Sequence, residues 1–206
     1  MSSRRSTQPP SYAVPPTRHP DAPPPGTSLG SHYRQCFGCG PDHPTGLHLE
    51  LTAGEGCTIN AELTVTPHHQ GAPGLAHGGL LAAAFDEALG TVTWLLRVPV
   101  VTVHLETDYR APVPVGSVLS IEAECYAVAG RKIYSRAVGR LPANDVPGTP
   151  GATRNGDGAD IAVEARGVFV SVPLEHFRTH GRAEDIDAFV ASSDRDDVLH
   201  AFEVNP

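Results

Sequence analysis

The segment from Gly78 to about Leu96 constrains the fold more than any other part of the chain. Its apolar residues recur at helical spacing, and the opposite side is also apolar or small. The first set is Leu81, Ala84, Phe85, Ala88, Val92 and Leu95, and the second is Leu80, Ala82, Ala83 and Leu89. A helix that is apolar nearly all round is a buried helix, so the rest of the domain must fold around it.

Segments in which apolar and polar residues alternate flank this helix on both sides, and this pattern predicts strands. Two precede the helix, near 47–52 and 59–65, and four follow it, near 102–109, 119–125, 133–141 and 161–172. Hairpins in succession with a single helix predict an α+β domain, in which an antiparallel sheet wraps around one long central helix. This is the hotdog arrangement, and we expect it to occupy residues 31–175.

The segments outside this pattern have different compositions. Residues 1–30 contain eight prolines without apolar periodicity, which predicts a disordered, Pro-rich arm. Residues 142–160 form a polar stretch rich in glycine and proline, which predicts a mobile loop. Residues 176–206 are expected to form a C-terminal tail, in which the apolar residues between 183 and 204 predict one or two short helices.

Charge and composition narrow the classes of partner. The formal net charge is −8 and Lys132 is the only lysine, so the basic face typical of a nucleic-acid-binding protein is not expected. No uninterrupted apolar run reaches the roughly 18 residues of a membrane span, and no apolar stretch follows Arg4 and Arg5 as in a secretory signal. Four irregularly spaced cysteines do not predict a disulfide scaffold, which favours a cytoplasmic location.

Asp86 is a carboxylate in the middle of the apolar helix. Aspartate is seldom fully buried without a partner, and no basic residue occurs between Gly78 and Leu96. Partial desolvation should raise its pKa and favour a role as a base. The alternative is that Asp86 faces solvent through a gap at a subunit boundary. The neighbouring Glu87 is expected to be solvated or salt-bridged.

His77-Gly78-Gly79 marks the start of the helix. Free backbone N–H groups and the helix dipole can hold an oxyanion there, and two glycines allow a ligand to approach closely. The alternative is a flexible entry turn that His77 caps. Eight residues separate Gly78 from Asp86, or roughly 12 Å along one helix, so one small carbonyl cannot touch both. If both act on one substrate, they must come from different chains across a two-fold interface.

Three stretches together resemble hotdog-fold acyl-CoA thioesterases of the PaaI type. They are residues 68–90 (HHQGAPGLAHGGLLAAAFDEALG), residues 102–112 (TVHLETDYRAP) and residues 36–51 (CFGCGPDHPTGLHLEL). The resemblance covers about residues 32–175. It implies a thioester hydrolase that releases a carboxylic acid and CoA, and that works as a homodimer or a dimer of dimers without a cofactor.

The resemblance also implies catalytic roles for individual residues. Asp86 corresponds to the catalytic carboxylate, which acts as a general base on water or as a nucleophile. The Gly78 N–H corresponds to the oxyanion donor, His77 to the histidine that positions the thioester carbonyl, and Thr102 to a hydroxyl residue that orients the water. Because a thiolate leaves easily, such a site needs no strong general acid.

Further residues are candidates for substrate binding. Gly79 completes the glycine pair at the helix start. Some relatives carry Asn six residues before the histidine, where this chain has Gly71, and we expect Gln70 beside it to substitute. Arg110, Arg131 and Lys132 could meet the phosphates of CoA, or could be ordinary solvated strand positions.

Cys36 and Cys39 form a C-x-x-C pair. With His32, His43 and His48 nearby in sequence a zinc site is conceivable. The second cysteine pair of a zinc motif is missing, so the prediction is a tight turn with packed thiols and no metal.

Two other functions compete with hydrolysis. A hotdog hydratase or dehydratase would bind a similar thioester, but the spacing of the glycines and Asp86 argues against it. A non-catalytic module that binds or senses acyl-CoA would not need an ionisable group at Asp86.

Overall fold

The computed structural model describes residues 6–142 and 160–192, with side chains in the second range as far as Asp187. The predicted mobile loop at 142–160 lies almost wholly outside the described residues. The last part of the predicted tail, 193–206, lies outside them as well.

Six antiparallel strands form the main sheet. They are β1 (Glu50–Ala53), β2 (Thr58–Thr64), β5 (Val100–Tyr109), β6 (Val118–Ala129), β7 (Lys132–Leu141) and β8 (Asp160–Ser171). Their order is β1-β2-β6-β7-β8-β5. Before the helix, β3 (Gln70–Ala72) and β4 (Leu75–Ala76) form a separate two-stranded ribbon.

The central helix α1 spans Gly78–Thr91 and continues as a 3-10 turn over Val92–Leu96. It ends where Arg97 adopts a left-handed conformation, with φ of 55°. It packs against β2 and β5 to β8. Phe85 and Leu89 are fully buried, and burial of each side chain contributes about 1.5–3 kcal/mol. The predicted α+β fold, an antiparallel sheet wrapped around one long helix, is confirmed.

Two glycines in the central strands let the helix lie close to the sheet. A Cβ at Gly139 on β7 would lie 2.7 Å from Cζ of Phe85. A Cβ at Gly167 on β8 would lie 2.6 Å from Cε2 of Phe169 and 3.3 Å from Cδ1 of Leu89. The packing of α1 therefore depends on the absence of side chains at these two positions.

Strand β1 begins later than the alternating pattern predicted. His48 has a positive φ of 51°, which interrupts extended backbone. The flanking N–H groups of Leu47 and Leu49 donate to Phe37 O and Gly38 O rather than to a neighbouring strand. The C-x-x-C segment thus takes the backbone hydrogen bonds that a longer β1 would have used.

The prediction of a disordered arm at residues 1–30 is wrong for its described part, residues 6–30. Val14 pairs with Val128 on β6, and Ser28 pairs with Thr52 on β1. Thr7 is buried and donates a hydrogen bond to Glu106, and Leu29 joins the hydrophobic core. A proline-rich segment can be ordered in this way when the domain supplies backbone N–H and C=O groups at strand edges and an apolar surface on which the segment packs.

Two short helices follow the sheet, α2 at Leu174–His180 and α3 at Ala183–Ser192. Helix α3 agrees with the prediction of helical structure after residue 183. Helix α2 was not predicted, because the apolar residues from which the helices of the tail were predicted lie C-terminal to it.

The helical segment Gly78–Leu96 is long and apolar enough to cross a membrane, with 19 residues and a mean hydropathy of 1.3. Asp86 and Glu87 interrupt this segment, so it passes the test of length and mean hydropathy without being an uninterrupted apolar run. Within the described chain, this segment is the core helix of the domain and half of it is buried against protein. Its apolar character is explained by that packing.

Candidate active site

Asp86 lies on α1 where the helix passes β5, and its carboxylate is half-buried. The hydroxyl of Thr102 on β5 donates a hydrogen bond of 2.9 Å to Asp86 Oδ1. The register of β5 with β8 shifts between Thr102 and His104, and such bulges re-aim side chains next to functional sites. The structure therefore brings two of the predicted residues into direct contact.

The surroundings of Asp86 shift its pKa upward. Burial is the largest cause, because desolvation penalises the charged carboxylate. The hydrogen bond from Thr102 opposes this shift, and the charge of Glu87 adds to it. The upward direction agrees with the prediction made from the apolar composition of α1.

Asp86 and Thr102 line a cavity of about 1000 Å³. Trp94 and Arg97 from the end of the central helical segment are part of its wall. The N-terminal arm supplies Asp21 and Leu29 to the remaining wall, and the C-terminal segment supplies Phe177, Arg182 and Ile186. Segments that the sequence pattern left outside the domain thus enclose the candidate catalytic carboxylate.

His77, Gly78 and Gly79 form the N-terminal end of α1. His77 is the N-cap, and its Nδ1 accepts a 3.0 Å hydrogen bond from the Gly79 N–H. The N–H groups of Leu80 and Leu81 donate to the His77 carbonyl. Among the described residues nothing accepts a hydrogen bond from the Gly78 N–H, so this donor can serve a ligand.

The two halves of the predicted site do not meet within one chain. The cavity that contains Asp86 is not lined by His77, Gly78 or Gly79. Instead the Tyr109 hydroxyl donates a 2.7 Å hydrogen bond to Gly78 O and supports the helix start. Sequence reasoning had not singled out Tyr109, and only its place in the Tyr-x-x-Pro stretch would have suggested it.

Gln70 has a structural role in its own hairpin. Its Nε2 donates to Pro67 O, and its Oε1 accepts from the Gly74 N–H. Both ends of the amide are therefore occupied, which does not support the predicted substrate contact. Gly71 beside it packs on His77, because a Cβ there would lie 2.7 Å from the His77 Cα.

The basic residues predicted to meet CoA phosphates lie outside this cavity. Arg110, directly after β5, pairs with Glu164, whose Oε2 lies 2.8 Å from Arg110 Nε and 2.7 Å from Nη2. Arg131 and Lys132 are exposed at the turn between β6 and β7. None of the three lines the cavity around Asp86, whereas Arg97 and Arg182 do.

A second polar cluster lies beside the cavity. It consists of His32, Cys36, Cys39 and Glu87, whose potential ligand atoms all lie within 4.8 Å of one another. Burial lowers the pKa of His32, but its interactions with the neighbouring Cys36 and Glu87 outweigh this and raise the pKa to about 10. The hydrogen bond from Cys39 lowers the pKa of the Cys36 thiol.

This cluster differs from what the sequence predicted. A turn with packed thiols was expected, and Glu87 was expected to be solvated or salt-bridged. Glu87 is salt-bridged, as one of the two predicted alternatives had it, with its Oε1 3.5 Å from His32 Nδ1. Its side chain points into the cluster and is only 13% exposed. His43 and His48 do not take part: His43 stacks on Phe37, and His48 Nδ1 contacts Gly40 O.

Comparison with known proteins supports the fold. The thioesterase superfamily profile matches residues 73–140, about a third of the chain, which include Gly78, Asp86 and Thr102. Acyl-coenzyme A thioesterase THEM4 of Bos taurus is 33% identical over 113 residues, which is 55% of this chain and 40% of the relative. THEM4 of Xenopus laevis is 35% identical over 69 residues, 34% of this chain and 31% of the relative. The chain thus spans less than half of the length of these relatives.

Solved structures extend the likeness to about two thirds of the chain. The crystal structure of one thioesterase superfamily protein is 27% identical and has a TM-score of 0.51, covering 64% of this chain and 60% of that one. Zebrafish thioesterase superfamily member 2 has a TM-score of 0.53 at 16% identity, covering 68% of this chain and 93% of that one. The chain therefore has the hotdog fold, and its residues 73–140 match the thioesterase superfamily.

Proposed function

We propose that this protein hydrolyses an acyl-CoA thioester to a carboxylic acid and CoA. The observation that carries the proposal is the half-buried Asp86 carboxylate, held by Thr102 in the wall of a cavity of about 1000 Å³. The superfamily match includes both residues, and the curated relatives are named acyl-coenzyme A thioesterases.

The chemistry follows from the groups present. Asp86 accepts a proton from a water molecule, whose oxygen attacks the thioester carbonyl carbon. The resulting oxyanion is stabilised by the Gly78 N–H and the positive end of the helix dipole. The tetrahedral intermediate collapses by breaking the carbon–sulfur bond, and the proton held by Asp86 returns to the thiolate. If Asp86 instead attacks directly, water hydrolyses the resulting anhydride and the products are the same.

We further propose that each site is shared between two chains. Asp86 and Gly78 are separated by roughly 12 Å along α1, and the cavity at Asp86 does not include the helix start of its own chain. A two-fold dimer that places the Gly78 of one protomer opposite the Asp86 of its partner would complete the site. A dimer of dimers would contain the same pair.

A reducing compartment such as the cytoplasm suits this proposal. All four cysteines lie within the described residues and are free thiols. Disulfides would be expected to form at an accessible C-x-x-C pair in an oxidising compartment.

Hydrolysis of a panel of acyl-CoAs tests the proposal. We expect turnover of at least one acyl-CoA by the wild type and its loss in Asp86→Asn, with binding of the same acyl-CoA retained. Asp187→Asn on α3 is the matched control, because Asp187 is exposed and its ion pair with Arg178 lies outside the cavity. Tight binding without turnover of any acyl-CoA by the wild type would refute hydrolysis and favour a sensing module.

A further inference from the structure

The cluster of His32, Cys36, Cys39 and Glu87 has no role in the proposed hydrolysis, yet its geometry is that of a ligand set. His32 Nδ1 lies 3.3 Å from Cys39 Sγ and 3.5 Å from Glu87 Oε1. Cys36 Sγ lies 3.3 Å from Glu87 Oε2. Zinc binds sulfur at about 2.3 Å and nitrogen or oxygen at about 2.0–2.2 Å. Donor atoms within 4.8 Å of one another can therefore reach one ion with small adjustments.

The backbone holds the two cysteines in a tight turn. The Cys36 N–H donates to Tyr33 O, and the Gly40 N–H donates to Cys36 O, each at 2.8 Å. A Cβ at Gly40 would lie 2.5 Å from the Cys36 backbone, so this turn requires glycine there. The turn places both thiols on the side that faces α1.

Glu87 approaches this turn from the middle of α1. A Cβ at Gly38, between the two cysteines, would lie 2.5 Å from Glu87 Cγ. The glycine therefore makes room for the carboxylate. A residue 51 positions away from Cys36 in sequence is thus fitted into the C-x-x-C turn.

One oxygen of Glu87 lacks a hydrogen bond. Oε1 is buried and has no hydrogen-bond partner among the described residues, although His32 Nδ1 lies 3.5 Å away as a charge partner. A buried carboxylate oxygen without a donor is costly, and such groups call for an explanation such as a bound ion. A cation among the four side chains would satisfy this oxygen and also the sulfur atoms.

We propose that His32, Cys36, Cys39 and Glu87 bind one Zn²⁺ ion in a four-coordinate structural site. Two thiolates, one imidazole and one carboxylate fit zinc, whereas calcium and magnesium prefer sites made of oxygen alone. Four protein ligands leave no position for a substrate, so the ion would not be catalytic. Zinc binds both cysteines as thiolates and His32 as neutral imidazole, so the protons that these three side chains carry are released to the buffer when the metal binds.

The site would attach the N-terminal segment to the helix that carries the candidate catalytic carboxylate. His32 and Glu87 both line the cavity, and Glu87 directly follows Asp86. The bound ion would therefore fix one wall of the substrate cavity. This role is independent of whether the protein is a hydrolase or a sensing module.

Metal binding by the full chain tests the proposal without any activity assay. Reduced, metal-free protein is titrated with Zn²⁺ or Co²⁺, and bound metal is measured by elemental mass spectrometry. We expect one ion per chain, with thiolate-to-cobalt charge-transfer absorption for Co²⁺. Cys36→Ser and Glu87→Gln should bind more than about tenfold more weakly, whereas Cys57→Ser should bind as the wild type does. Cys57 is the matched control, since it is a buried free thiol outside the cluster.

A second measurement on the wild type does not depend on whether the variants fold. Alkylation of each cysteine is followed by peptide mass spectrometry with and without Zn²⁺. We expect Zn²⁺ to slow modification of Cys36 and Cys39 but not of Cys57. The proposal would be overturned if Cys36 and Cys39 were alkylated at equal rates with and without the metal. It would also be overturned if the wild type bound Zn²⁺ no more tightly than Cys36→Ser does. A third contrary result would be a protein that contains a Cys36–Cys39 disulfide and still binds no metal after that disulfide is reduced.

Discussion

Replacing Thr102 by valine removes the hydrogen bond to Asp86 while keeping the shape of the side chain. A hydrogen bond to a charged group contributes about 1.5–3 kcal/mol when it is shielded from water. The Thr102 side chain is exposed, so water can partly replace its hydroxyl and the loss should be near 1 kcal/mol. That corresponds to a fall of about fivefold in kcat/KM at neutral pH.

The pH dependence of the same variant tests the cause of this loss. Asp86 must be deprotonated to act as a base, so activity falls as the pH drops through its pKa. The Thr102 hydroxyl lowers that pKa, and its removal must raise it. The acidic limb of the kcat/KM profile should therefore move to higher pH in Thr102→Val.

Thr102→Ser is the matched control for this prediction, because it keeps the hydroxyl. It should retain both the position of the acidic limb and most of the activity. The role assigned to the hydrogen bond would be refuted if the acidic limb of the Thr102→Val profile stayed in place. It would also be refuted if Thr102→Ser showed the same loss and the same shift as Thr102→Val.

Three further predictions follow from single sites. The pKa of Asp86 is raised by folding, so its ionisation destabilises the protein as the pH rises through the folded-state pKa. Asp86→Asn should therefore have a higher Tm than the wild type at neutral pH and lose this advantage in acid; a lower Tm at neutral pH would contradict it. Gly139→Ala should lower the free energy of unfolding by about 1–3 kcal/mol in denaturant titrations, because its Cβ collides with Phe85. Gly90→Ala on α1 should instead be neutral or stabilising, because its Cβ would have its nearest neighbour at 3.5 Å, an ordinary contact distance. Equal losses of stability in Gly139→Ala and Gly90→Ala would refute the packing argument. Gly78→Pro removes only the free N–H at a helix position that accepts proline, so kcat should fall about 10²–10³-fold, whereas Gly78→Ala should keep activity.

The central helix and the sheet could be predicted because their signal is local. Apolar residues on all sides of α1 require burial, and alternation along β2 and β6 to β8 matches their buried faces. The raised pKa of Asp86 followed from the same composition. These features depend on periodicity within one segment, which a single sequence displays.

Other features depend on contacts between distant segments. The pairing of Val14 with Val128 gives order to proline-rich chain that has no periodicity of its own. Glu87 was expected to be solvated or salt-bridged, and its place in the cysteine cluster appears only once residues 31–40 fold against α1. Gln70 was assigned to substrate because of its position beside Gly71, whereas its amide closes a local turn.

The most direct test of the shared active site is a mixed dimer of two inactive variants. Asp86→Asn and Gly78→Pro chains carrying different tags are coexpressed, and the heterodimer is isolated by purification on both tags. If each site combines Asp86 of one protomer with Gly78 of its partner, one of the two sites is intact and turnover is about half of the wild-type value per dimer. If each chain carries a complete site, both sites are defective and the heterodimer is as inactive as either parent. That second result would contradict the account.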